Sequence, residues 1–114
     1  MPYISTHTNI EITKEKEETI TKRLGKAIEI IPGKTEEWLM VSFEDNLSLY
    51  FKGKTNQPIA FVEVKIAGSS TQEHYQNLTA AITQIVKEEL DITPENCYVR
   101  YEETKYWGWN GNNF

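Results

Sequence analysis

The sequence predicts an α+β fold: a tandem βαβ repeat whose four strands form one mixed sheet with two helices on one face. Three observations predict it. A strand–helix–strand pattern occurs twice, each copy opening at a proline (Pro2, Pro58) and each helix followed by a proline-containing stop (Pro32, Pro94). Apolar residues alternate along the candidate strands and recur at helical spacing along the candidate helices. The length, 114 residues, suits one domain and leaves no room for a second, so residues 1–114 are read as a single domain.

Each element follows in order. Pro2 to Thr8 is rich in residues that favour extended structure. Thr13 is a suitable N-cap for a first helix, whose Ile20, Leu24, Ala27, Ile28 and Ile31 share one face. Pro32-Gly33 ends it. Trp38 to Phe43 alternates as a second strand, Leu47 to Phe51 is a further extended piece, and Gly53 to Gln57 is turn-rich. Ile59 to Ile66 is the strongest strand: Ala60, Val62, Val64 and Ile66 point one way, and Ile59, Phe61, Glu63 and Lys65 the other. Ser70 and Glu73 fit a capping box for a second helix with its stripe at Tyr75, Leu78, Ile82, Ile85, Val86 and Leu90. Cys97 to Tyr101 closes the repeat. An aromatic tail follows, with Tyr106, Trp107, Trp109 and Phe114 set among glycines and asparagines.

With both crossovers right-handed, one sheet face stays bare. Ile59 and Phe61 lie opposite Val62 and Val64, so the strands are expected to be apolar on both sides. A partner subunit is the simplest cover for the bare one.

Composition excludes several functions. Twelve basic and 17 acidic residues give a net charge of −5, which argues against a nucleic-acid backbone binder. One cysteine, Cys97, and two distant histidines, His7 and His74, leave no disulfide framework and little material for a metal site. No apolar run approaches the roughly 20 residues of a membrane span. Without a visible leader, the expected location is cytoplasmic.

A few residues can carry chemistry. Methionine before a small residue is readily trimmed, which would expose Pro2 as a secondary amine. Burial or a nearby cation lowers an amine's pKa and makes a general base near neutral pH. Lys34, just past the Pro-Gly stop, can cap a helix end or hold a substrate carboxylate. Tyr98 and Arg100 share one face of the last strand and can pair with an acidic ligand. The tail aromatics can clasp a subunit contact or wall an apolar pocket.

Taken together, several features resemble the macrophage migration inhibitory factor family of the tautomerase superfamily. They are the proline after Met1, Pro32-Gly33-Lys34, the long strand leading to a Gly/Ser-rich helix entry, Tyr98, and the ending Trp-Gly-Trp-Asn-Gly-Asn-Asn-Phe. The resemblance spans Pro2 to Phe114. It implies a homotrimer with sites between subunits and no cofactor or metal. It implies that Pro2 is the catalytic base and that Lys34 contacts the substrate carboxylate. Val64 matches a residue whose backbone amide lines the site, and Tyr98 a pocket tyrosine from a neighbouring subunit. Trp38, Trp109 and Phe114 match entrance aromatics. The sequence departs from the family pattern at Arg100, where asparagine is expected, and at Trp107, where a small aliphatic is usual. Ile59 and Val62 stand where the mammalian-type cytokines carry two cysteines, so thiol-disulfide chemistry has no support.

The implied function is keto-enol tautomerisation of a 2-keto acid such as phenylpyruvate, with Pro2 as base and Lys34, joined by Arg100, on the carboxylate. Two alternatives stand beside it. One is hydration, decarboxylation or dehalogenation of a small unsaturated acid on the same fold. The other is a non-enzymatic, cytokine-like binding protein, for which the family's leaderless release provides a route out of the cell.

Overall fold

The computed structural model describes residues 1–114 and contains the expected architecture. Strand β1 (Pro2–Thr8) is followed by helix α1 (Lys14–Ala27), strand β2 (Met40–Glu44), strand β3 (Ala60–Ala67), helix α2 (Gln72–Leu90) and strand β4 (Cys97–Thr104). The sheet order is β2-β1-β3-β4. β1 runs parallel to β2 and β3 parallel to β4, so each βαβ half is a parallel pair; β1 and β3 join the halves antiparallel, from Pro2 opposite Ile66 to Thr8 opposite Ala60.

Strand alternation and helix stripes together build one core. Ile4, Val62, Val64 and Ile66 point from the central strands toward Ile20, Leu24, Leu78, Ile82 and Ile85 of the two helices, all essentially buried. Each such side chain contributes about 1.5–3 kcal/mol relative to exposure. Thr8 is also buried, and its hydroxyl is satisfied by donating to the Ile59 carbonyl (2.7 Å). Asn9 clamps the halves together: its amide donates to the Gln57 carbonyl and accepts from the Ile59 amide, both at 2.9 Å. No helix is long and apolar enough to cross a membrane.

Several elements differ from the expectation. Ile28 and Ile31 are buried, but α1 stops at Ala27 and tightens into a 3₁₀ turn, Ile28–Ile30. Trp38 is not in β2. Glu36–Trp38 form another 3₁₀ turn, closed by the Leu39 amide on the Glu36 carbonyl (3.1 Å), and pairing begins at Met40. Leu47 to Phe51 forms no strand and joins neither free edge of the sheet, β2 or β4; Phe51 bridges only to Lys54 around a turn at Lys52-Gly53. The α2 cap is Thr71, whose side chain accepts from the His74 amide (3.1 Å), while the Ser70 hydroxyl bonds the His74 ring instead. The tail folds as a small hairpin, β5 (Gly108–Trp109) with β6 (Asn112–Asn113), turning at Asn110-Gly111, both at positive φ. Asn-Gly suits such a turn.

The bare sheet face is more polar than expected. Ile59 precedes β3, is only 8% exposed, and shares a small hollow with Leu49, Tyr50 and Phe51. The middle rung carries Ser42, Ser5, Glu63 and Arg100, and the rung that ends in Tyr98 also holds Glu44 and His7. His7 Nδ1 lies 2.8 Å from Glu44, and the Arg100 guanidinium lies 3.2 Å from Glu63 and 3.1 Å from Glu102. Large apolar exposure on this face is confined to its ends, at Met40 (69%) and Tyr98 (56%).

Candidate active site

The topology gathers several chain segments at one end of the sheet. β1 starts there, antiparallel β3 finishes there, and β2 begins there just after the Glu36–Trp38 turn. β4 also finishes there, next to the tail. Pro2 is buried at the end of the central pair. The Ala67 amide donates to the Met1 carbonyl (3.0 Å), and the Gly68 amide to the Thr104 carbonyl (2.8 Å). Lys34, half-buried, donates from its ammonium to the Ala67 carbonyl (2.9 Å), which fixes the cation beside the chain's first residues.

A cleft of about 650 Å³ opens over this end. It is lined by Met1, Pro2, Tyr3 and Met40 from the starts of β1 and β2, and by Glu37, Trp38, Leu39, Trp107, Gly108 and Trp109. Trp38 and Trp109 meet edge to face, with centroids 5.0 Å apart and planes at 90°, a favourable aromatic geometry. The tail hairpin carries both Trp107 and Trp109 to the cleft, and the Phe114 amide ties it shut by donating to the Trp107 carbonyl (3.1 Å). Phe114 itself is exposed and does not line the cleft.

The electrostatics single out the amine. The Met1 ammonium is held below its ordinary pKa near 8, first by burial and then by the charge and hydrogen bond of Lys34. Both causes disfavour a second positive charge at that point. Elsewhere, burial raises the Cys97 thiol to about 11, so it is not a nucleophile at neutral pH. No group of three or more His, Cys, Asp or Glu side chains converges as metal ligands.

One chain therefore brings together Pro2, Lys34, Trp38, Trp107 and Trp109. It does not bring the other candidates. Val64 is 1% exposed in the helix-facing core, and the β3 residue that reaches Pro2's end is Ala67. The antiparallel register makes Ala67 findable from the sequence, because the last residues of β3 must meet the first of β1. Tyr98 pairs with Phe61, five residues from the Ile66 that faces Pro2, or about 16 Å along the strand. Its ring packs against Phe51 (5.1 Å between centroids) and Phe61 (6.3 Å). Arg100 is on the bare face between two glutamates. Glu37, Tyr3 and Met40 line the cleft although no motif marked them.

The profile of the macrophage migration inhibitory factor family matches residues 1–114. Among solved structures, MIF2 of Leishmania major is 30% identical, superposes with a TM-score of 0.92, and is matched over 100% of this chain and 97% of that one. A macrophage migration inhibitory factor homologue from Prochlorococcus marinus is 24% identical, with a TM-score of 0.88 and 98% of each chain covered. Pt0534, solved after inactivation by 2-oxo-3-pentynoate, is 20% identical, with a TM-score of 0.79 over 90% of this chain and 85% of that one. No curated protein matches the chain at a significant level. The profile match over the full length, together with the Leishmania similarity, places the chain in the macrophage migration inhibitory factor family.

Proposed function

We propose that the protein is a cofactor-independent keto-enol tautomerase of 2-keto acids such as phenylpyruvate, with Pro2 as the base once Met1 is removed. The observation that carries this reading is a terminal amine whose pKa is lowered by burial and by Lys34, in a cleft that Pro2 lines together with Trp38, Trp107 and Trp109. Trimming Met1 moves the free amine by one residue and keeps it beside Lys34. Lowering an amine's pKa raises the share of the neutral form, which is the form that can accept a proton.

The substrate carboxylate pairs with the Lys34 ammonium, which the Ala67 carbonyl orients. The aryl group lies against Trp38 and Trp109. Pro2 nitrogen takes a proton from the carbon next to the carbonyl, the C–H electrons form the C=C bond, and the carbonyl oxygen takes the negative charge. The prolinium then returns its proton to that oxygen, giving the enol and the free amine. A donor at the developing oxyanion lowers the barrier. In this reading the donor is Tyr98 of a neighbouring copy in a homotrimer, since its own chain holds Tyr98 far from Pro2. That 2-oxo-3-pentynoate inactivates Pt0534 supports a 2-oxo acid as the substrate class.

The test is phenylpyruvate enolisation by protein whose N-terminus is verified by mass. Pro2→Gly and a form retaining Met1 should each lose at least about 100-fold in kcat/KM. Unchanged activity in Pro2→Gly would overturn the mechanism. Arg100 gives no independent support to hydration or dehalogenation, because two carboxylates already engage it.

A further inference from the structure

The cleft over Pro2 is not uniformly apolar. Among its lining residues Glu37 is the one charged side chain. Glu37 is exposed and takes part in none of the chain's ion pairs, unlike Glu63, Glu88, Glu89 and Glu102. It sits in the same 3₁₀ turn as Trp38. Trp38 and Trp109 form a right-angled corner that is still 39% and 50% exposed, and Trp107 adds a third indole. Indole faces attract cations through the ring quadrupole, and a nearby unpaired carboxylate adds to the same preference. The side where Met1 and Pro2 line the cleft has the opposite character, because the Lys34 ammonium lies just behind the Met1 amine, bonded to the Ala67 carbonyl.

We propose that this cleft selects a dipolar 2-oxo acid: a carboxylate for Lys34 on the Pro2 side and a cationic group for Glu37 and the tryptophans. The inference rests on the tautomerase reading for the Pro2 side and goes beyond it in naming the distal group. A neutral aryl ring satisfies the indoles but leaves Glu37 without a partner. A quaternary ammonium or similar cation at the far end uses both. Charge complementarity thus sets the substrate class, with Glu37, Trp38, Trp107 and Trp109 as the specificity-determining side chains.

Two arylpyruvates of nearly equal shape make the test. One carries a para-trimethylammonium group and the other a para-tert-butyl group. Binding of each to the full-length protein is measured by calorimetry, and enolisation is followed separately. The trimethylammonium compound should bind roughly tenfold more tightly than the tert-butyl compound. In Glu37→Gln, and to a lesser degree in Trp107→Val, that ratio should fall toward one. Equal binding of the two compounds by the unaltered protein, or an unchanged ratio in Glu37→Gln, overturns the inference. If the binding ratio holds but neither compound is enolised, the dipolar selectivity stands and the tautomerase reading falls. If both are enolised with a ratio near one, the reverse is true.

Discussion

At the scale of single residues, two polar groups in apolar surroundings make opposite demands. The Thr8 hydroxyl is buried and donates to the Ile59 carbonyl. Thr8→Val keeps the shape and removes the donor, so it should lower stability by about 1–3 kcal/mol in urea unfolding. The amine beside Lys34 is disfavoured as a cation by burial first and by Lys34 second. In the proposed mechanism the base is active when neutral, so kcat/KM for enolisation should rise with pH through a pKa below 8 and then level off. Lys34→Ala removes the charge and hydrogen bond that add to burial, together with the proposed carboxylate partner. Its pH profile should move up toward 8 and its KM should increase. The sequence marks Pro2 and Lys34 as candidates by local context, an initiator methionine in one case and a Pro-Gly stop in the other, and both are found at the same end of the sheet. No motif marks Glu37 or Ala67, since their places at this end come from where the chain passes and not from what flanks them.

At the scale of elements, alternation and helical spacing foretold every strand and helix of the main sheet, and errors gathered at the ends. Ser70 and Thr71 are both capable N-caps, and the sequence does not say which will have its φ and ψ in the extended region; Thr71 does. Leu47 to Phe51 has strand-forming residues yet joins neither free edge of the sheet, and residue preference alone does not say whether a segment will pair. The tail hairpin was missed although Asn110-Gly111 signals a tight turn, because two-residue strands carry no periodicity to read. That hairpin now has a specific prediction. Gly111 lies at φ +83, where an added Cβ costs about 1 kcal/mol or more. Gly111→Ala should loosen the hairpin and with it Trp107 and Trp109. The expected result is a higher KM for phenylpyruvate with little change in the melting temperature, since the main core does not depend on the tail.

At the scale of the whole molecule, the two helices are tied by charge as well as by packing. Arg23 of α1 reaches both Glu88 (2.6 Å) and Glu89 (3.0 Å) of α2, and Lys16 reaches Glu89 (3.2 Å). Glu88 is held below the usual carboxylate range by Gln84 and Arg23, and Glu89 by Lys16 and Arg23. Carboxylates depressed in the folded state add stability above their ordinary pKa and lose it as pH falls through the folded value. Melting temperature should therefore fall on acidification below about pH 4.5, and less steeply in Arg23→Ala. The antiparallel join of β1 to β3 has a wider consequence. It sets Pro2 at one end of the sheet and Tyr98 toward the other, so in the proposed trimer one end of each copy meets the unlike end of the next. Such head-to-tail contacts close into a ring. In that ring every site takes its amine and its phenol from different polypeptides. Two inactive proteins, Pro2→Gly and Tyr98→Phe, when unfolded together and refolded as a mixture, would then regain part of the lost turnover. Each supplies the half that its neighbour lacks.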